Sequence, residues 1–196
     1  MIVKSKRPRE NLSSKSHFLI EFAFEYSHLK NLYRQGWLKE NIPEHKCESV
    51  ADHSFGVAIL SMILCEEYFP ELDISKVMKL ALIHEVGEIL AGDITPHDKI
   101  TKEKKYEMER EAIVKIFEGF PTPKKYLSLW EEFEENKTSE AKFVKQIDKL
   151  EMVLQASVYE RETKKDLNCF YESVKDQLKE PKVKQILDEL VLLRDL

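Results

Sequence analysis

The chain has 196 residues and a formal net charge of −5, with 42% apolar and 34% charged residues. This length suits one domain with a sizeable core, and the balance argues against a disordered or membrane-embedded chain. No basic stripe of the kind that follows a nucleic-acid backbone is present, so a polymeric nucleic acid is not expected as a partner. Only five glycines and seven prolines occur, which favours helices.

The N-terminal segment is polar and basic and lacks the apolar stretch of a signal peptide. Residues 1–16 are therefore predicted to be a flexible arm, with a transit peptide as the alternative, and residues 17–196 the folded domain. The longest apolar run is too short for a membrane span, so no membrane partner is expected. The chain has three cysteines, Cys47, Cys65 and Cys169, and they show no C-x-x-C pattern. An odd number of cysteines without this pattern favours a reducing, cytoplasmic location.

Helical periodicity begins near residue 18. The first predicted helix covers residues 18–32, and Gly36 lies beyond its end. A second helix begins at Ser49 or Glu48 and ends before Pro70.

A third helix is predicted to start at Asp73 or Ser75 and to continue to Gly92, followed by a loop over residues 93–96. The remaining predicted helices are Lys102 to Phe117, Lys124 to Glu135, Glu140 to about Tyr159 with Ser139 as its cap, and two short ones separated by Pro181. No strand pattern or repeat occurs. The sequence therefore predicts an all-α, single-domain bundle of roughly six to eight helices.

Two of these helices place chemistry-bearing side chains on inward faces. His53 shares a face with apolar residues one and two turns later, where a histidine is more often a hydrogen-bonded core residue than a ligand. On the third helix, His84 and Glu88 stand one turn apart, with Glu85 beside His84. Buried carboxylates need a metal, a cation or water, and the alternative is a solvated helix end near Gly87.

An aspartate on a later predicted helix adds another candidate ligand. Asp148 follows Val144 by one turn and lies on or beside the packed stripe, where alone it would be a surface or helix-pairing residue. With the two histidines and Glu85 it completes a set of two nitrogen and two oxygen donors. Such a set suits a divalent ion such as Mn, Fe, Co or Zn and leaves positions for water and substrate.

The order H, H-[D/E], D on successive helices resembles the HD-domain phosphohydrolases. Three longer stretches, ESVADHS, HEVGEILAGDITPHD and SEAKFVKQIDKLEMVLQASVYE, resemble the 5′-deoxynucleotidases of that superfamily, both the bacterial YfbR-like group and its eukaryotic HD-domain relatives. The resemblance implies an HD-type helical bundle and an enzyme that releases phosphate from (deoxy)nucleoside 5′-monophosphates. It also implies a homodimer.

The resemblance implies four ligands for a divalent metal ion (Mn, Co, Mg, Fe or Zn): His53, His84, Glu85 and Asp148. It assigns Glu88 and Asp93 to catalysis or to an additional metal. Glu88 would orient or deprotonate the attacking water, and Asp93 would be the second carboxylate.

Three further residues are implied to contact the nucleotide. Arg34 would bind the phosphate, although a helix-end arginine is also a common solvated cation. Trp37 would stack on the sugar or base, or else cover the core. Thr95 lies near the nucleotide in the family, and a threonine before a proline is equally typical of a turn.

One departure from the family pattern concerns the residue after the second histidine. Aspartate is usual there, whereas this chain has Glu85, whose carboxylate is displaced by about one carbon–carbon bond. Two alternatives follow: an HD hydrolase acting on another nucleotide, such as a triphosphate or an alarmone, and a metal-binding helical protein with impaired catalysis.

Overall fold

The computed structural model describes residues 16–194. Within that range the chain has no strand and contains eight helices of seven or more residues, which confirms the predicted all-α bundle. The helices are α1 Phe18–Tyr26, α2 Gln35–Lys39, α3 Val50–Tyr68, α4 Ile74–Ile83, α5 Glu88–Ala91, α6 Lys102–Phe117, α7 Pro123–Glu135, α8 Ser139–Thr163, α9 Asn168–Val174 and α10 Pro181–Leu192. The predicted arm, except for Ser16, lies outside the described residues.

The largest apolar cluster forms where α3, α4 and α8 pack together, and α9 and α10 close one side of it. One residue from each of the three central helices is completely buried: Val57, Leu80 and Val144. Burial of such a side chain contributes about 1.5–3 kcal/mol. Each of these three residues lies one helical turn from a predicted ligand. The packing of the three helices therefore also brings His53, His84 and Asp148 close together.

A second apolar cluster joins α6 and α7 to the short helix α5 and the segment around Leu32. The predicted first helix is too long, because α1 ends at Tyr26 and a 3-10 turn follows over Ser27–Lys30. The Ser27 hydroxyl donates to the Phe24 carbonyl at 2.8 Å, a local bond that competes with continuation of the helix. The short helix α2 was not predicted.

The predicted third helix is interrupted, which corrects its expected extension to Gly92. α4 ends at Ile83, and the following turn is tightened by bonds such as Glu88 N–H to the Glu85 carbonyl at 3.0 Å. Gly87 lies in this turn against α6, where a Cβ would stand 3.0 Å from the Cβ of Glu109. This close approach presses the turn that carries His84 and Glu85 against α6.

The caps of α3 and α8 differ in how well they were predicted. Of the two residues predicted to begin this helix, Ser49 is the cap of α3, and it forms a reciprocal arrangement with Asp52 that was not predicted. On α8 the cap is Thr138 rather than Ser139, since its hydroxyl accepts the Ala141 N–H at 3.3 Å. No helix of residues 16–194 is long and apolar enough to cross a bilayer.

Candidate metal centre and its cavity

Four side chains converge where the start of α3 and the end of α4 meet the middle of α8. His53, His84, Glu85 and Asp148 each present one nitrogen or oxygen, and these atoms all lie within 4.8 Å of one another. Glu85 Oε1 is 3.8 Å from the Nε2 atom of each histidine. The structure therefore brings together the four residues predicted as ligands, and the longer arm of Glu85 keeps its carboxylate in the cluster.

His84 is held in a state suited to a metal. Its Nδ1 lies 2.7 Å from the carbonyl oxygen of Ala81, which can only accept, so Nδ1 carries the hydrogen. Nε2 then bears the lone pair, and among the described residues this buried atom has no hydrogen-bond partner. Burial also lowers the pKa of His84, which favours the neutral ring. A buried nitrogen lone pair without a donor fits a metal cation.

His53 is completely buried between two carboxylates of α8. Nδ1 lies 2.5 Å from Glu151 Oε2, and Nε2 lies 3.0 Å from Asp148 Oδ1. Glu151 thus stands behind the ring, on the side away from the cluster. A Cβ on Gly56 would come within 2.5 Å of Glu151 Oε1, so the glycine makes room for this carboxylate.

Arg34 faces the acidic side of the cluster. Its Nη1 donates to Asp93 Oδ1 at 3.0 Å and to Glu85 Oε1 at 3.2 Å, and the other oxygen of Asp93 accepts the Gln35 N–H. The Arg34 N–H in turn donates to the Glu48 carbonyl at 3.1 Å. The arginine is therefore bound to the start of α3 by its backbone and to two predicted site carboxylates by its side chain.

Glu88 is the most enclosed carboxylate of the site, with 1% of its surface exposed. Its nearest charged partner is Arg34 Nη1 at 3.9 Å, and neither oxygen makes a hydrogen bond to any part of the chain that the structure describes. Burial, followed by the charges of Glu85 and Asp93, raises the pKa of Glu88 well above its usual value. The side chain is thus placed to hold a proton, or to release one when a cation is nearby.

A cavity of about 400 Å³ opens in front of the cluster. Glu85 and Asp148 lie on its wall together with Arg34, and the loop over residues 93–97 forms one edge. Helix α9 forms the opposite edge through residues such as Phe170. A concave site of this size with converging charged groups is typical of a small-molecule pocket.

The two other predicted substrate contacts also line this cavity, Trp37 and Thr95. Trp37 is only 2% exposed, its indole N–H donates to Glu48 Oε1 at 2.6 Å, and its ring packs 4.1 Å from that of Phe170. The Thr95 hydroxyl donates to Asp98 Oδ2 at 2.8 Å. Both residues therefore have structural partners, and contact with a nucleotide stays a prediction for each.

Several residues of the site were not predicted from the sequence. Glu151 could have been noticed because it follows Asp148 by three positions and so lies on a neighbouring face of the same helix. Lys105 and Lys149 line the cavity from α6 and α8, and Phe170 lines it from α9. Nothing in the periodicity of α6 or α9 indicates that these helices reach the site.

The fold and the cluster can be compared with known proteins. The family model described as HD domain matches residues 26–190, so the chain belongs to the HD domain family. It is 39% identical over 183 residues to the 5′-deoxynucleotidase HDDC2 of Dictyostelium discoideum, covering 87% of this chain and 95% of that protein. The human 5′-deoxynucleotidase HDDC2 is 38% identical over 88% of this chain and 84% of its own length.

A solved structure gives the same result for the fold. A conserved hypothetical protein from Pyrococcus furiosus superposes with a TM-score of 0.74 and 32% identity, covering 90% of this chain and 99% of that one. The HD-type helical bundle that the resemblance implied is therefore confirmed.

Proposed function

We propose that this protein is a metal-dependent phosphomonoesterase that releases phosphate from deoxynucleoside 5′-monophosphates. The observation that carries the proposal is the buried His84 Nε2 atom, which has no hydrogen-bond partner among residues 16–194 and lies in a cluster of four candidate ligands beside a cavity. The 5′-deoxynucleotidases with which the chain shares up to 39% identity over most of its length support the same substrate class.

The metal would be held by His53, His84, Glu85 and Asp148. When bound, a divalent ion lowers the pKa of water and offsets charge that develops on a phosphate. Two imidazoles and two carboxylates are compatible with Mn, Co, Fe, Zn or Mg, and we rank the first four higher because imidazole ligands suit them. Glu151 would fix the hydrogen of His53 on Nδ1 and so direct the lone pair of Nε2 toward the cluster.

The remaining polar residues divide between water and substrate. Glu88 is assigned the role of orienting or deprotonating the attacking water, because it is buried and its pKa is raised toward the range where a carboxylate can accept a proton. Asp93 is assigned as the second carboxylate, which in this structure accepts from Arg34. Arg34 would contact the phosphate, either after leaving these carboxylates or through its remaining N–H groups. An additional metal beside Glu88 and Asp93 is compatible with the same assignments.

The test is phosphate release by purified protein that has been stripped of metal and resupplied with Mn, Co, Mg, Fe or Zn. Deoxy- and ribonucleoside mono- and triphosphates form the substrate panel, and Glu88→Ala and Glu85→Asp are assayed alongside. Turnover of the deoxynucleoside monophosphates, restored by metal and lost in Glu88→Ala, is expected. Cleavage of triphosphates alone would replace the proposed substrate. Turnover by Glu85→Asp but not by the natural chain would make the natural protein a metal binder with impaired catalysis.

Assembly and location are part of the same proposal. An exposed apolar row along α3, formed by Phe55, Ile59 and Ile63, supports a homodimer. Light scattering of the purified protein would give twice the chain mass, and a monomeric mass would contradict this.

The cytoplasmic location is supported by Cys47, Cys65 and Cys169, all of which are free thiols. Fractionation of cells that make the protein would test it.

A further inference from the structure

Three lysine or arginine side chains line the cavity, and they differ in their partners. Arg34 is bound to Asp93 and Glu85. Lys105 lies 3.4 Å from both the Glu109 carboxylate and the Ile94 carbonyl oxygen. Lys149 makes no hydrogen bond and no ion pair to any of residues 16–194, and the carboxylates of Asp148 and Glu134 act on it only through longer-range electrostatic attraction. Among the described residues it is therefore the lysine of this cavity that makes no direct polar contact with the protein.

Lys149 lies next to the candidate metal cluster. It directly follows Asp148 on α8, and both residues lie on the wall of the same cavity as Glu85. The side chain is half-buried. Its other neighbours include Lys145, which is already paired with Glu134 at 3.0 Å. Lys149 is thus a cation beside the candidate metal cluster, with its side chain reaching the space where a substrate would lie.

The carboxylates of the site favour such a cation. Glu85, Asp93 and Asp148 stand in or next to the cluster, and their negative charges repel a phosphate dianion. Arg34 is already shared between two of these carboxylates, so its charge is largely offset. A lysine ammonium can bind a phosphate as a compact positive charge without fixed geometry.

We propose that Lys149 is a substrate-binding residue that donates from its ammonium group to a non-bridging oxygen of the substrate phosphate. In this arrangement Arg34 keeps Asp93 and Glu85 in place through Nη1 and offers its remaining N–H groups to the phosphate, while Lys149 supplies further attraction for the incoming dianion. The inference rests on the proposed function, because it names a contact for the phosphate that the enzyme would cleave.

The test compares Lys149→Gln with Lys142→Gln, a matched control at an exposed position of the same helix. Loss of a hydrogen bond to a charged group predicts a rise of roughly 10- to 100-fold in KM for a deoxynucleoside 5′-monophosphate. The inhibition constant of inorganic phosphate should rise by a similar factor, with kcat changed much less. Lys149→Arg should restore most of the affinity, and Lys142→Gln should behave as the natural chain.

Two outcomes separate this inference from the proposed function. If the natural chain releases phosphate and Lys149→Gln has unchanged KM and phosphate inhibition, Lys149 does not bind the phosphate, whereas the proposed function stands. If the natural chain turns over no monophosphate, the proposed function fails. Calorimetric titration of the metal-loaded proteins with inorganic phosphate then tests whether Lys149 contacts the phosphate. Weaker binding to Lys149→Gln than to the natural chain supports the contact, and equal binding overturns it.

Discussion

Two glycine–glutamate contacts flank the candidate metal cluster, and they act in different ways. Behind His53, Gly56 makes room for the carboxylate of Glu151, which meets the histidine ring at 2.5 Å. Below the turn after His84, Gly87 faces the Cβ and the backbone of Glu109, at 3.0 and 3.2 Å from an added Cβ. The first contact makes room for a hydrogen bond to His53, a proposed metal ligand, and the second is a close packing of two backbone segments.

The difference shows how each histidine is positioned. His53 depends on a carboxylate that is 98 residues away in the chain. His84 is oriented by the Ala81 carbonyl within its own helix end, so its ring needs no distant partner. The Glu109 carboxylate pairs with Lys105 at 3.4 Å, and its burial raises its pKa to about 7. Substitutions at the first contact should therefore change metal binding, and those at the second should change stability.

Among substitutions at these two contacts, the largest effect is expected for Glu151→Gln. Loss of the carboxylate behind His53 removes the group that keeps the ring hydrogen on Nδ1, and such outer partners typically contribute about 10- to 100-fold to metal affinity. Titration of metal-stripped protein with Mn²⁺, followed by electron paramagnetic resonance, gives the Kd. Glu162→Gln, on the exposed side of α8, is the control. An unchanged Kd in Glu151→Gln would show that Glu151 does not position His53.

Gly56→Ala should weaken metal binding about 10-fold, because the added methyl displaces the Glu151 carboxylate from the ring. The side chain of Glu151 is flexible, so the fold should be retained. Since both substitutions interrupt one interaction, Gly56→Ala in the Glu151→Gln background should have little further effect on the Kd. If the two substitutions change the Kd additively, Gly56 does not act on metal binding through Glu151, and this explanation is wrong.

Gly87→Ala should have a smaller effect, expressed mainly in folding. The methyl would press on the backbone of Glu109, which cannot rotate away as a side-chain end can, and overpacking of this kind costs about 1 kcal/mol or somewhat more. Urea denaturation measures the free energy of unfolding. Gly119→Ala is the control, because its added Cβ would find its nearest neighbour, the Cβ of Phe18, at 3.7 Å. If Gly87→Ala and Gly119→Ala have the same free energy of unfolding, the steric explanation for Gly87 is wrong.

The same contrast explains what the sequence could predict. The inward faces of α3, α4 and α8 follow from apolar periodicity, and this alone placed His53 and His84 in the interior. The break after Ile83 could not be predicted, because it accompanies the approach of α6 to Gly87, a contact between segments distant in sequence. The same applies to the cavity wall that α9 supplies.

Three residues of the site lie within four positions of one another on α8. Asp148, Lys149 and Glu151 are close neighbours on one helix, yet only the first has a counterpart in the family pattern of ligands. The roles of the other two depend on which neighbouring helix each side chain meets. Glu151 meets α3 because Gly56 leaves space, and Lys149 faces the cavity.

The most direct test of the central claim is the rate of phosphate release from a deoxynucleoside 5′-monophosphate as a function of bound metal. Metal-stripped protein should be inactive, and the rate should rise with occupancy of the cluster formed by His53, His84, Glu85 and Asp148. His84→Ala should lose both bound metal and turnover, because it removes the nitrogen whose lone pair has no hydrogen-bond partner in the described part of the chain. Full turnover by the metal-free protein, or by His84→Ala without bound metal, would contradict the account.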